Sequence, residues 1–292
     1  MSRMRSSILI GVILVAGLNR VHSKEGTFVF SPIDFPGATL TNAQGINAGG
    51  DVVGFYNDAA GKTHGFIYSG GNFRSVDYPD ATLTQLRGIG PSGDVVGTYQ
   101  RQNESGAVPI HGFLLTRHGD FHPVDYPAHQ NTIPQRILPD GTILGCYHDT
   151  DTMGTMHGMV VSSRGFDAIA EPTTMHNGAT PDRRLIVGLF TDMMDNRGKG
   201  YLFNGSRFTP FEVPGATSTA AWDINPAGIV VGVYRDVAGL FHGFTYDGES
   251  FGRVDMPEAT ATRVFGINAS GDLVGTYVDT GGRTHGFLAQ AR

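Results

Sequence analysis

Short segments in which apolar and polar residues alternate, each bounded by Gly, Asn, Asp or Ser, follow one another from Phe28 to the end of the chain. Alternation with period two is the mark of a strand with one buried face. In the first complete unit the pattern predicts strands over Ala43 to Asn47, Asp51 to Tyr56, His64 to Tyr68 and Phe73 to Asp77. The intervening Asn47-Ala48-Gly49-Gly50, Asp58-Ala59-Ala60-Gly61 and Ser69-Gly70-Gly71-Asn72 carry turn chemistry. The unit then recurs about every 43 residues as F-x-x-[IV]-[DE]-x-P-G-A-T, G-I-N-x-x-G-D-V-V-G-x-Y-x-D and H-G-F, six times in all. A repeat of this length built from four antiparallel strands predicts an all-β protein, a six-bladed β-propeller.

The register is close to constant. Phe30 to Gly54, Phe73 to Gly97, Phe121 to Gly145, Phe208 to Gly232 and Phe251 to Gly275 are equal intervals, and Phe166 to Gly188 is two residues shorter. That fourth copy also carries Ala170 where the others carry an acid. Glycine recurs inside the second strand (Gly54 and its counterparts) and the third (Gly65 and its counterparts), which predicts close backbone approach between sheets. The tyrosines that follow, such as Tyr56 and Tyr99, read as filling between blades. Because the chain opens on a fourth-strand motif at Phe30 and ends after a third-strand motif at His285, the first strand is predicted to complete the last blade and close the ring.

Residues 1–23 read differently. Arg3 and Arg5 precede an apolar run from Ile8 to Leu18, and Val21-His22-Ser23 offers a cleavage site, so a secretory signal peptide is expected before a propeller domain over 24–292. The run is too short for a membrane span, which needs ~20 apolar residues. Its removal takes the net charge from −6 to −9 by deleting three arginines, and a net acidic chain argues against nucleic acid as a partner. The single cysteine, Cys146, can form no internal disulfide, so stability has to come from core burial. The expectation is a monomer, secreted or periplasmic, with no membrane attachment after cleavage.

The G-I-N-x-x-G-x-V-V-G-x-Y-x-D and H-G-F signatures resemble the HAF-type extracellular repeat family, over nearly all of residues 28–289. The resemblance implies export and a repeated β architecture. It supplies no catalytic residues.

Two polar rings repeat with the fold: Asp58, Asp149, Asp192, Asp236 and Asp279 open the loop between second and third strands, and His64, His111, His157, His242 and His285 close it. One reading is a ring of metal or substrate ligands. The simpler one is that each Asp closes its own turn and each His bonds nearby backbone. Asp149-Thr150-Asp151 with Gly154, and Asp192 with Asp195 and Asn196, partly match calcium loops without the closing bidentate Glu. Six of the seven methionines outside the leader fall in blades three and four, which raises a copper(I) site centred on Met153, Met156, His157 and Met159. The competing reading is that methionine fills an irregular gap there.

The first strands, which should line the axis, are where the repeats disagree. One aligned position reads Gln44, Arg87, Gln135, Trp222 and Phe265, and the next reads Gly45, Gly88, Arg136, Asp223 and Gly266. Arg136 and Asp223 thus replace glycine, and with Arg263 complete a candidate ligand set of Gln44, Arg87, Gln135, Arg136, Trp222, Asp223 and Arg263. Arg and Trp beside a carboxylate suit a sugar or a small anion. No nucleophile elbow or zinc-protease motif is present. The expected function is a secreted scaffold binding an extracellular carbohydrate or protein at the channel mouth. The alternatives are a carbohydrate hydrolase or lyase using Arg136 and Asp223, and a copper-binding exported protein.

Overall fold

The computed structural model describes residues 28–102, 109–148, 156–172, 174–192, 194–195 and 197–292, and these contain strands and no helix. The first sheet runs β2 (Leu40–Ile46), β3 (Val52–Asn57), β4 (Thr63–Ser69) and β5 (Asn72–Val76), following β1 (Phe28–Ile33) in the chain. The second contains β6 (Ala81–Ile89), β7 (Val95–Arg101), β8 (His111–Leu115) and β9 (Phe121–Pro123); a single parallel bridge from Thr63 to Leu83 joins it to the first. The third is built from β10 (Asn131–Ile137), β11 (Ile143–His148), β12 (His157–Ser162) and β13 (Gly165–Pro172). The fourth takes β14 (Thr174–Ala179), β15 (Ile186–Asp192), β16 (Arg197–Phe203) and β17 (Phe208–Phe211). The fifth consists of β18 (Ser218–Ile224), β19 (Val230–Arg235), β20 (Phe241–Tyr246) and β21 (Phe251–Val254). The last has β22 (Ala261–Ile267), β23 (Leu273–Val278) and β24 (Thr284–Ala291), with β1 antiparallel to β24 in the register Phe28↔Ala291 to Ile33↔Gly286.

Each sheet is a four-stranded blade, and the predicted strands of the first unit match the observed ones to within a few residues. The innermost strands lie against one another in the order β2, β6, β10, β14, β18, β22 and back to β2. Turn chemistry explains the tight connections. The Asn47 side chain accepts from the backbone N–H of Asp51 (2.9 Å), and Gly50 holds φ at 85°, a conformation that favours glycine.

The strand glycines have two different duties. A Cβ on Gly54 would strike the Asn42 carbonyl of its own blade and the Phe66 ring, so the second-strand glycines make room inside a sheet and not between sheets. A Cβ on Gly65 would lie 2.7 Å from Leu86 of the next blade, and Gly112, Gly158 and Gly243 would likewise meet Pro134, His176 and Val264, so these third-strand glycines set the spacing between blades; Gly200 instead faces Phe211 of its own blade. The ring over each second-strand glycine, Phe66, Phe113, Phe244 or Phe287, is fully buried. Met159 and Tyr201 hold that place in the third and fourth blades.

A buried threonine near the start of five of the six inner strands pins the preceding loop. Thr41, Thr84, Thr132, Thr219 and Thr262 each accept a hydrogen bond from the backbone N–H six residues earlier, at 2.7 to 3.0 Å. On the opposite side of the blades, the Asn225 amide donates to the Asn268 carbonyl and the Asn268 amide to that of Asn47, linking the fifth, sixth and first blades. No helix among the described residues is long and apolar enough to cross a membrane.

Candidate functional site

All six inner strands carry a bulge, between Ala43/Gly45, Leu86/Gly88, Pro134/Arg136, His176/Gly178, Ala221/Asp223 and Val264/Gly266. A bulge leaves one residue out of the ladder and re-aims its side chain. The residues so displaced are the variable ones: Gln44, Arg87, Gln135, Asn177, Trp222 and Phe265. Four of them, Gln44, Arg87, Trp222 and Phe265, line a cavity of about 390 Å³ together with Gln85 and Arg263, which stand two residues earlier on the same strand face. The walls are completed by Phe55, Tyr234 and Phe241 from the second and third strands of blades one and five.

Of the seven predicted ligand residues, therefore, Gln44, Arg87, Trp222 and Arg263 come together in one cavity. Gln135, Arg136 and Asp223 do not line it. Gln135 is 1 % exposed, with neither end of its amide hydrogen-bonded. Arg136 and Asp223 are buried and form an ion pair, with Arg136 Nε 3.1 Å from Asp223 Oδ2. The Arg136 guanidinium also donates to the carbonyls of Arg87 (3.0 Å), Gln135 (2.8 Å), Gln44 (3.2 Å) and Phe265. Asp223 accepts from the backbone N–H of Ile224 (3.0 Å) and of Ile267 (3.2 Å). Burial pushes the Asp223 carboxyl up, against the pull of Arg136 and these two N–H groups. The pair is a tie across the axis, reaching from blade three to blades one, two, five and six. The two departures from glycine thus have a structural gain that spacing alone does not reveal.

The cavity lining has a distinct electrostatic character. Arg87 donates to Gln85 Oε1 (2.8 Å) and contacts Thr98 Oγ1 at 3.5 Å; Arg263 lies over the Phe241 ring, 4.0 Å from its centroid. Among the described residues neither guanidinium has a carboxylate partner, and no carboxylate lines the cavity. Burial lowers Arg87 to about 10, the direction expected of a cation removed from water without an anion beside it. Trp222, from β18, and Phe265, beside Arg263 on the neighbouring β22, meet edge to face with centroids 5.1 Å apart and supply apolar surface to the cavity. Sequence reasoning missed Gln85, Phe241 and Tyr234. The signal for Gln85 was its place two residues before Arg87, where a strand returns to the same face.

The Asp and His rings are local structure. Asp58 accepts from the N–H groups of Ala60 and Lys62 (both 2.9 Å), closing its own turn as expected. Four of the five histidines, His64, His111, His242 and His285, bond carboxylates. His64, His242 and His285 each bridge the turn Asp (Asp58, Asp236, Asp279) and the acid after the outer strand (Asp77, Asp255, Asp34), at 2.8 to 3.3 Å. In blade four the Lys199 ammonium replaces the imidazole, among Asp192 (2.8 Å), Asp195 (3.1 Å) and Glu212 (3.4 Å), and so already supplies a cation to one of the two calcium-like loops. The other, Asp149 to Gly154, lies outside the described residues, as does Met153. Of the copper candidates, Met159 occupies a core-ring position, His157 stacks on Tyr147 and Met156 packs with Cys146 and Met175. Among the described residues no group of three or more His, Cys, Asp or Glu side chains is placed to hold a metal.

No protein-family model matches the chain, and no curated protein matches its sequence. Solved structures do resemble it in fold. The fucose-recognising six-bladed propeller lectin of Aleuria aurantia matches with a TM-score of 0.54 at 12% identity, over 85% of this chain and 91% of that one. TolB of Acinetobacter baumannii matches with a TM-score of 0.58 at 12% identity, over 83% of this chain and 64% of that one. The β-propeller domain of the Trilobed protease of Pyrococcus furiosus gives 0.54 at 12% identity, over 86% and 94%. At such identities the likeness establishes the fold, an all-β propeller, and leaves the site to be argued from its own residues.

Proposed function

We propose that this protein is an exported, monomeric propeller that binds an extracellular carbohydrate, without catalysis, in the cavity formed by the bulged residues of its inner strands. One observation carries the reading: four of the six bulged positions that vary from blade to blade converge on a concave surface of aromatic faces, guanidinium and amide donors. Trp222 and Phe265 suit the apolar face of a sugar ring, and Gln44, Gln85, Arg87 and Arg263 suit its oxygens. Aleuria aurantia lectin, a propeller of similar fold, recognises fucose. A hydrolase needs paired carboxylates, and Asp223, the acid nearest the lining residues along the chain, is engaged by Arg136 and two backbone donors.

The reading includes export after removal of residues 1–23, membership of the HAF-type extracellular repeats, and a ring closed by the pairing of β1 with β24. The test is a glycan array probed with the purified protein and with Trp222→Ala. Binding to a defined set of glycans that the substitution abolishes, at an unchanged melting temperature, supports the reading. Glycan binding that Trp222→Ala leaves intact, or no binding to any glycan, refutes it.

A further inference from the structure

The cavity holds two guanidinium groups, Arg87 and Arg263, that no carboxylate among the described residues neutralises. Taking the bulged position and the position two residues before it on all six inner strands, the side chains are Asn42 and Gln44, Gln85 and Arg87, Ile133 and Gln135, Met175 and Asn177, Ala220 and Trp222, and Arg263 and Phe265. These twelve positions include two cations and no anion. The only carboxylate close to them along an inner strand, Asp223, is paired with the third arginine, Arg136. Removing guanidinium groups from water is costly unless an anion or a set of acceptors replaces the water. Arg87 has one good acceptor, Gln85 Oε1, and Arg263 has a ring face, so among the described residues few of the donors on these two cavity-lining guanidinium groups are taken. Both arginines are braced within the lining, Arg87 by the Gln85 amide and Arg263 by the Phe241 ring, contacts that leave their charge available and their position defined. Arginine in such a setting recognises planar carboxylates through paired hydrogen bonds.

We propose that the cavity selects acidic sugars: the carboxylate of a uronic-acid residue is taken by Arg87 and Arg263 while its pyranose ring lies on Trp222. This rests on the carbohydrate-binding reading and narrows it to a ligand class. The cavity, about 390 Å³, has room for a monosaccharide unit and not for a long segment of chain.

The test is calorimetric titration of the purified protein with matched pairs: methyl glucuronide against methyl glucoside, and methyl galacturonide against methyl galactoside. Sodium acetate and sodium sulfate serve as bare anions. Expected is tighter binding of a uronide than of its neutral partner by about tenfold or more, the worth of charge-assisted hydrogen bonds. Arg263→Gln, whose side chain makes no ion pair, and Arg87→Gln should each lower uronide affinity toward that of the neutral sugar. Arg263→Lys should recover part of the loss, and Trp222→Ala should weaken both members of a pair. Equal binding of acidic and neutral sugars, unaffected by the arginine substitutions but lost in Trp222→Ala, overturns the acidic preference and leaves carbohydrate binding standing. Acetate or sulfate binding as tightly as the uronide overturns the sugar component. Binding of none of these probes overturns the inference, and the glycan array then decides whether the broader reading falls with it. Arg263→Gln keeps the test sound if Arg87→Gln, which loses the bond to Gln85, does not fold.

Discussion

Replacement of Asp223 is the sharpest test of how the axis of this propeller is held together. In Asp223→Ala the Arg136 guanidinium keeps its four carbonyl acceptors but loses its only counter-charge, in a site where both side chains are about one-tenth exposed. The backbone N–H groups of Ile224 and Ile267 also lose their acceptor. Removing one partner of a buried pair costs about 3–5 kcal/mol, because a charge is left uncompensated away from water. For a domain of this size each kcal/mol shifts the melting temperature by roughly 2–4 °C, so a fall on the order of 6–20 °C is expected. The assay is thermal unfolding at pH 7 followed by near-ultraviolet circular dichroism, with a double-mutant cycle through Arg136→Met. The cycle should return a coupling of about 1–3 kcal/mol, since the double variant leaves no lone charge. The reasoning fails if Asp223→Ala melts within about 3 °C of the parent, or if the single-variant losses simply add. Had Arg136 and Asp223 been ligand groups on an open wall, their replacement would have spared stability and removed binding; the structure predicts the reverse for stability.

Two further outcomes follow from the repeated parts. Gly65→Ala places a Cβ 2.7 Å from Leu86 and 2.9 Å from the Val76 carbonyl, so blades one and two must part; a loss of about 1–3 kcal/mol in urea unfolding is expected, and a loss near zero would contradict the inter-blade role of this glycine. In the His–Asp pairs the pH dependence has a definite sign. For His285, burial alone would lower the pKa, but hydrogen bonds to Asp34 and Asp279 outweigh it and raise it above the ordinary 6.5; its contribution is complete below 6.5 and fades as pH rises through the raised value. Asp279 is held below 3.8 by the Arg283 backbone N–H and then by His285, so its contribution is present above 3.8 and fades only as pH falls through the lowered value. The stability gap between the parent and His285→Gln should therefore be larger at pH 5.5 than at pH 8.5, and equal gaps at the two pH values would refute the pairing.

The blade architecture was readable from residue order alone. Strand alternation, the Asn-x-Gly-Gly and Asp-x-x-Gly turns and the recurrence of Gly54 and Gly65 are local rules repeated until one arrangement satisfies them together, and local rules act between residues near in sequence. The same economy explains why Gln44, Arg87, Trp222 and Arg263 could be picked out: they break a pattern at the same aligned place or two residues from it, and a constant repeat carries aligned places to one axis. What chemistry alone could not assign was which of the odd residues face each other. Arg87 and Arg136 are neighbouring exceptions of identical type. Yet Arg136, from blade three, reaches across the axis to carbonyls of three other blades and to Asp223, while Arg87 stays in the cavity without a counter-ion among the described residues. Whether a charge is spent on the scaffold or left for a ligand depends on distances between strands more than forty residues apart, and only the packing of the blades against one another sets those distances.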